Sequence, residues 1–129
     1  MSKSLKPACS EPAIRVVMMP RDTNAEGTIF GGVILSLIDQ AAYVEAMRQA
    51  HHRYVTIALR AVEFHQPVFV GDVLSLYANA TRVGRTSLTI HVHVNATRRI
   101  DPNQVISVTE AEVTFVAVDE SGRPHPVFP

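Results

Sequence analysis

The chain has no tryptophan and a single cysteine, Cys9, among its 129 residues. One cysteine cannot close an internal disulfide, so the fold must rest on a buried core. The polar segment around Cys9 suits a reducing, cytoplasmic setting. No helix start or histidine adjoins Cys9 to activate its sulfur as a nucleophile. Neither sign of charge is in excess: twelve basic and twelve acidic residues cancel. Without a basic footprint, nucleic acid and anionic membrane surfaces are not expected partners. Long hydrophobic runs are missing too. The greasiest stretch, residues 33–42, is broken by Ser36, Asp39 and Gln40, whereas a bilayer span needs about 20 apolar residues. The opening M-S-K-S-L-K-P-A-C-S-E-P holds no apolar core of a secretory signal. There is no G-x-S-x-G elbow for a serine hydrolase and no G-x-x-x-x-G-K phosphate loop. His91 and His93 share a strand face, but no third ligand follows at a suggestive spacing, so no metal is expected.

What is present reads as one domain. Residues 1–13 look like a flexible N-terminal arm, residues 14–122 like the folded unit, and residues 123–129 like a proline-rich tail. Residues 14–19 form a β-branched apolar run that Pro20 stops. After a polar turn at residues 21–28, a helix is expected from Phe30 or Gly31 to about Ala50. Its first three turns are apolar nearly all round, which predicts burial. Glu45, Arg48, Gln49, His51 and His52 make its end polar. The remainder alternates as strands: residues 54–63 continuing through 64–70, then 73–83, 86–97 and 104–118, with turns at Gly71-Asp72, Gly84-Arg85 and residues 98–103. The prolines of the tail should keep it out of any sheet ladder. This order predicts an α+β fold, a five-stranded antiparallel sheet around one long central helix. Strands apolar on both faces, such as residues 113–118, point to a partner subunit.

The chemistry gathers around that helix. Asp39 is a carboxylate in apolar company, with Leu35, Ser36, Ala42 and Tyr43 as its helical neighbours. Such a group can accept a proton from water, or it can pair with an arginine across an interface. Gly31 and Gly32 leave the first backbone N–H groups of the helix unobstructed, where they could hold an oxyanion; they could equally let another backbone pass close by. Gly32 and Asp39 are seven residues apart on one helix face, roughly 10 Å along the axis. That is too far for one carbonyl to touch both. Either a substrate lies along the helix, or the acid comes from a second subunit.

Residues 22–39, D-T-N-A-E-G-T-I-F-G-G-V-I-L-S-L-I-D, resemble the signature of hotdog-fold acyl-CoA thioesterases, closest to their bacterial YciA-like branch, which is related to the cytosolic acyl-CoA hydrolases of animals. The pattern N-x-x-G-x-x-F-G-G, followed by an acid seven residues beyond the second glycine, is met at every position. The resemblance continues through Val55-Thr56, F-x-x-P-V-x-V-G-D from Phe64 to Asp72, V-G-R-T-S from Val83 to Ser87, and F-V-A-V-D from Phe115 to Asp119. It implies a hotdog fold and hydrolysis of the acyl-CoA thioester to a free acid and CoA, without metal or organic cofactor. It implies Asp39 as the general base, or alternatively a nucleophile, with Asn24 positioning water or carbonyl and the N–H groups of Gly31 or Gly32 forming the oxyanion hole. Asn24 and Asp39 of one site would come from opposite subunits of a homodimer, and such dimers often assemble as trimers of dimers, that is, hexamers. The CoA phosphates would meet the hairpin at Arg82, Gly84, Arg85, Thr86 and Ser87. Acyl length would depend on a tunnel between subunits, set by side chains such as Val33, Leu37, Tyr43 or Val62. Two rivals share the fold. A non-catalytic acyl-CoA sensor would need an output module, and none is evident. A dehydratase would need a histidine near the helix acid, and no histidine precedes His51.

Overall fold

A computed structural model describes residues 5–61 and 63–129. Five strands, β1 (Ile14–Val17), β2 (Arg53–Ala61), β3 (Val73–Val83), β4 (Ser87–Thr97) and β5 (Val105–Val118), form one sheet in the order β1-β3-β4-β5-β2. Every neighbouring pair is antiparallel. One helix, α1 (Gly31–Gln49), packs across the sheet.

Side-chain alternation dictates the packing. Leu74, Leu76 and Ala78 of β3, Leu88, Ile90, Val92 and Val94 of β4, and Val113, Phe115 and Ala117 of β5 are all buried. Across from them α1 buries Ile34, Ile38, Ala41, Ala42 and Ala46. Three alanines on that face let the helix axis approach the sheet closely, since axial separation follows the size of the side chains at the contact. The helix starts beside the beginning of β3, where Ile29 donates its N–H to Val68 (2.8 Å) and Met18 to Asp72 (2.9 Å). It ends beside the far end of β3, where the Glu45 carboxylate accepts the N–H of Ala80 (3.1 Å).

The helix is not buried all round as its composition implies. Gly32, Ser36, Gln40, Tyr43 and Val44 form an exposed stripe, with Val44 47% exposed, because one chain's sheet covers only one side. The last strand in the order, β2, likewise leaves Val55 50% and Ile57 59% exposed at a free sheet edge. Its residues do not run on as a strand to residue 70. Over residues 63–70 the chain is irregular, since Pro67 has no N–H for a ladder and the segment turns over the helix start, with Phe64 against Gly31. Val62 lies outside the described residues.

The polar helix end is also more buried than its residue types suggest. Glu45 and Gln49 are both buried. Glu45 accepts from Arg48 Nε (2.6 Å), Gln49 Nε2 (2.9 Å) and the Ala80 N–H, and so joins α1 to the stretch of β3 that extends past β1. Burial pushes its carboxyl upward, but the donors from Arg48, Gln49 and Ala80 outweigh that and leave it below the usual glutamate value.

The described residues of both end segments are tied down. Within the segment read as a flexible arm, Lys6 N–H meets Gln49 Oε1 (2.6 Å), the Pro7 carbonyl accepts from Arg48 (2.9 Å), and Cys9 N–H meets Asn79 Oδ1 (2.8 Å). The tail, expected to stay out of the sheet, makes a bridge between Pro124 and Val118. Its prolines alternate with other residues, so the N–H groups of His125 and Val127 remain free to donate, to Ala117 (2.8 Å) and Arg85 (2.9 Å).

Candidate active site

Asp39 lies half-buried on the flank of α1 that faces β2. Thr56 of β2 donates its hydroxyl to Asp39 Oδ1 at 2.9 Å. Among the described residues no donor reaches Oδ2 and no arginine pairs with the carboxylate, so one oxygen is oriented and the other left open. Asp39 borders a cavity of about 390 Å³ whose walls include Ile14, Tyr43, Val44, Tyr54 and Phe115. Three aromatic rings form one wall: Tyr43 and Tyr54 edge-on at 6.4 Å, and Phe115 at 6.4 Å and 5.8 Å from them. Tyr54 donates its hydroxyl to the carbonyl of Ala50 (2.7 Å) beyond the helix end. Burial, with the neighbouring Tyr43, pushes its phenol up to about 12, so it stays a neutral donor at physiological pH. The cavity is thus an open, largely apolar depression with Asp39 as its single carboxylate and, apart from the two tyrosines, Gln40 and Thr56 as its other polar lining side chains.

The helix start is built separately. Asn24 folds its own turn: Oδ1 accepts the N–H groups of Glu26 (2.8 Å) and Thr28 (3.2 Å), and Nδ2 donates to Thr28 Oγ1 (2.9 Å). Gly27 closes that turn at φ 83°, a left-handed conformation that glycine adopts without strain. Phe30 N–H is taken by the carbonyl of Asp22 (2.9 Å). Among the described residues nothing accepts the N–H of Gly31 or Gly32. A Cβ on Gly31 would touch the Phe64 ring at 3.5 Å, and one on Gly32 would meet nothing within 4 Å. Glycine costs a helix about 1 kcal/mol relative to alanine, and among the described residues no contact at Gly32 requires it.

The hairpin is at the opposite end of the sheet. Gly84 N–H donates to the Ser87 carbonyl (2.9 Å) and Ala117 to that of Thr86 (2.8 Å). Arg82 and Arg85 are exposed, and Thr86 and Ser87 half-buried. One chain therefore places the helix start, Asp39 and the hairpin at three stations along the sheet and does not bring them into a single pocket. Thr56 and Tyr54 were missed as site residues. Thr56 is 17 positions from Asp39 in the chain, and only the V-T pair at Val55-Thr56 hinted at it. The two paired strand histidines make surface contacts, His91 with Glu110 (3.6 Å) and His93 with Ser107 (2.9 Å). Among the described residues no three His, Cys, Asp or Glu side chains cluster as metal ligands.

Residues 26–102 match the family model described as the thioesterase superfamily. An uncharacterised acyl-CoA thioester hydrolase of Zymomonas mobilis is 48% identical over 129 residues, covering 99% of this chain and 85% of that protein. The acyl-CoA thioester hydrolase YciA of Salmonella typhimurium is 40% identical over 119 residues, covering 91% and 90%. Among solved structures, a hexameric hotdog fold thioesterase of Campylobacter jejuni superposes with a TM-score of 0.85 at 42% identity, covering 92% of this chain and 90% of that one.

Proposed function

This chain belongs to the thioesterase superfamily, with the hotdog fold and the acyl-CoA thioester hydrolases as its relatives, and from that premise we propose that it hydrolyses acyl-CoA to a carboxylic acid and CoA. The observation that carries the reading is Asp39, with one oxygen held by Thr56 and the other open at the edge of an apolar cavity.

In this reading Asp39 Oδ2 takes a proton from water as its oxygen attacks the thioester carbonyl. The carbonyl oxygen becomes an oxyanion and is held by the N–H groups of Gly31 and Gly32, which carry the positive end of the helix dipole. The tetrahedral intermediate collapses, the C–S bond breaks, and the CoA sulfur leaves with the proton that Asp39 had taken. The second amide hydrogen of Asn24 Nδ2, its first being given to Thr28, is a donor for the water or the carbonyl. No metal or organic cofactor is needed for this sequence of steps.

The distances argue for two chains in each site. Gly32 and Asp39 are roughly 10 Å apart along their helix; Gly32 belongs to the uncovered stripe of α1, and Asp39 faces Thr56 on the edge strand β2. A second copy laid against Val55, Ile57, Tyr43 and Val44 would cover apolar surface that one chain leaves in water. It would also bring its own helix start to the first copy's Asp39. The site is then completed by a homodimer, and three such dimers make the hexamer that the Campylobacter jejuni relative forms. The single unpaired cysteine and CoA as substrate support a cytoplasmic location as part of this reading.

The test is thiol release from a panel of acyl-CoAs with the wild-type chain and Asp39→Ala. Release that disappears in the variant supports hydrolysis by Asp39. Tight acyl-CoA binding without release would overturn it in favour of a sensor, and hydroxyacyl interconversion without free thiol in favour of a dehydratase.

A further inference from the structure

The proline-rich tail crosses the end of the sheet and ends on the hairpin. Val127 is 1% exposed, donates its N–H to the carbonyl of Arg85 (2.9 Å), and accepts at its own carbonyl from His52 Nε2 (2.7 Å). A carbonyl can only accept, so Nε2 of His52 carries the hydrogen. The ring of His125 stacks on His52, tilted, at 5.2 Å. Asp119 Oδ1 gathers the N–H groups of Ser121 (2.9 Å) and Arg123 (3.0 Å), which turns the chain back from β5 into the tail. The tail therefore links three elements: the end of β5, the junction between α1 and β2, and the turn between β3 and β4.

We propose that this tail is a positioning element for the hairpin, and that Val127 holds the Arg85 backbone so that the Arg85 side chain meets the phosphates of CoA; the inference rests on the function proposed above and on the phosphate contact that the family resemblance implies for the hairpin. A two-residue hairpin tip frays unless its backbone groups are committed. Here Gly84 and Ser87 close the turn, β5 takes the Thr86 carbonyl and the tail takes the Arg85 carbonyl. With the backbone fixed, only the side-chain torsions of an exposed arginine must be ordered when a phosphate binds. The prolines at 124 and 126 restrict the free tail and so reduce the entropy lost when it docks.

The experiment uses the full-length chain and two thioesters of the same acyl group, one on CoA and one on pantetheine, which lacks the nucleotide phosphates. Val127→Pro removes the N–H donor, whereas Val127→Ala keeps it and loses only side-chain volume. The expected result for Val127→Pro is a KM for acyl-CoA raised about tenfold, kcat within about twofold of wild type, and an unchanged KM for acyl-pantetheine. Val127→Ala should keep the wild-type preference for CoA. His52→Phe, which removes the donor to Val127 on a different element, should move KM in the same direction, and His52→Gln, which restores an N–H, should move it back. Should Val127→Pro fail to fold, the His52 pair decides. Equal losses on both thioesters, or no change in either, overturn the proposal. Arg85→Ala separates the two layers of reasoning. If it abolishes the preference for CoA while the tail variants do not, the tail inference alone fails. If Arg85→Ala leaves that preference intact, the hairpin is not the phosphate site and the tail inference falls with it.

Discussion

Replacing Thr56 by valine removes one hydroxyl and leaves the shape of the side chain almost unchanged. In the wild-type chain that hydroxyl donates to Asp39 Oδ1 at 2.9 Å and fixes the plane of the carboxylate. A hydrogen bond to a charged acceptor contributes about 1.5–3 kcal/mol when dry. Thr56 is exposed and Asp39 half-buried in the single chain, so water can replace part of the bond, and a loss just below that range, about 1.4 kcal/mol, is expected. If the bond matters for aiming Oδ2 at the attacking water, the loss falls on the transition state and kcat drops about tenfold with KM little changed. The assay is steady-state thiol release from one acyl-CoA, beside thermal unfolding to show that the variant is folded. Thr56→Ser restores the donor and should recover most of the activity. Wild-type kcat in Thr56→Val, or a serine variant as slow as the valine one, would refute the role given to Thr56.

Other consequences are equally concrete. Glu45→Ala leaves Arg48, Gln49 and the Ala80 N–H without their acceptor and should cost about 3 kcal/mol in urea unfolding at pH 7; a loss below about 0.5 kcal/mol would mean that water serves equally well. Because the Arg48, Gln49 and Ala80 donors hold the folded-state pKa of Glu45 below the usual glutamate value, its contribution is complete above that usual value and disappears as pH falls through the lowered one. Unfolding titrations of wild type and Glu45→Gln should therefore converge on acidification, and parallel curves would contradict the assignment. Tyr43→Ala opens the aromatic wall of the cavity beside Asp39 and should shift kcat/KM towards longer acyl chains; an unchanged chain-length profile would place the acyl group elsewhere. Gly32→Ala meets no atom within 4 Å, so the helix should gain up to about 1 kcal/mol of stability. Its kcat should nevertheless fall, since a methyl group then crowds the N–H groups assigned to the oxyanion.

The parts of this fold that were legible in the sequence are those governed by local patterns. Strand β3 begins and ends where the alternation of Leu74, Leu76 and Ala78 against Ser75, Tyr77 and Asn79 places it, and α1 starts at the Gly31-Gly32 pair and stops within one residue of the expected end. The readings that failed all depend on what a segment meets after folding. Glu45 was read only as part of a polar helix end, because helical periodicity cannot foresee that β3 outruns β1 and leaves the N–H of Ala80 in need of an acceptor. The tail looked incompatible with pairing because prolines count against a ladder, yet pairing needs only the donors of His125 and Val127 between them. Asp39 stood out at once as an acid among apolar residues, whereas its partner Thr56 became visible only when β2 was laid beside the helix. The exposed stripe of α1 was hidden for a related reason: a residue's hydrophobicity says that something covers it, not whether the cover belongs to the same chain.

The central claim is that Asp39 and the helix start act together only across two chains. Co-expression of Asp39→Ala with Gly32→Val tests it directly, with each variant carrying its own affinity tag so that oligomers containing both chains can be purified. Gly32→Val blocks the oxyanion donors in open space, so both parents should fold and both should be inactive alone. In a mixed dimer one site inherits both defects and the other inherits neither. Each mixed dimer within the purified oligomers should therefore regain one working site of its two, about a quarter of wild-type activity when the chains pair at random, as expected for a self-complementary two-fold interface. A mixed dimer as inactive as its parents, or a well-folded monomer that still hydrolyses acyl-CoA, would contradict the two-chain site.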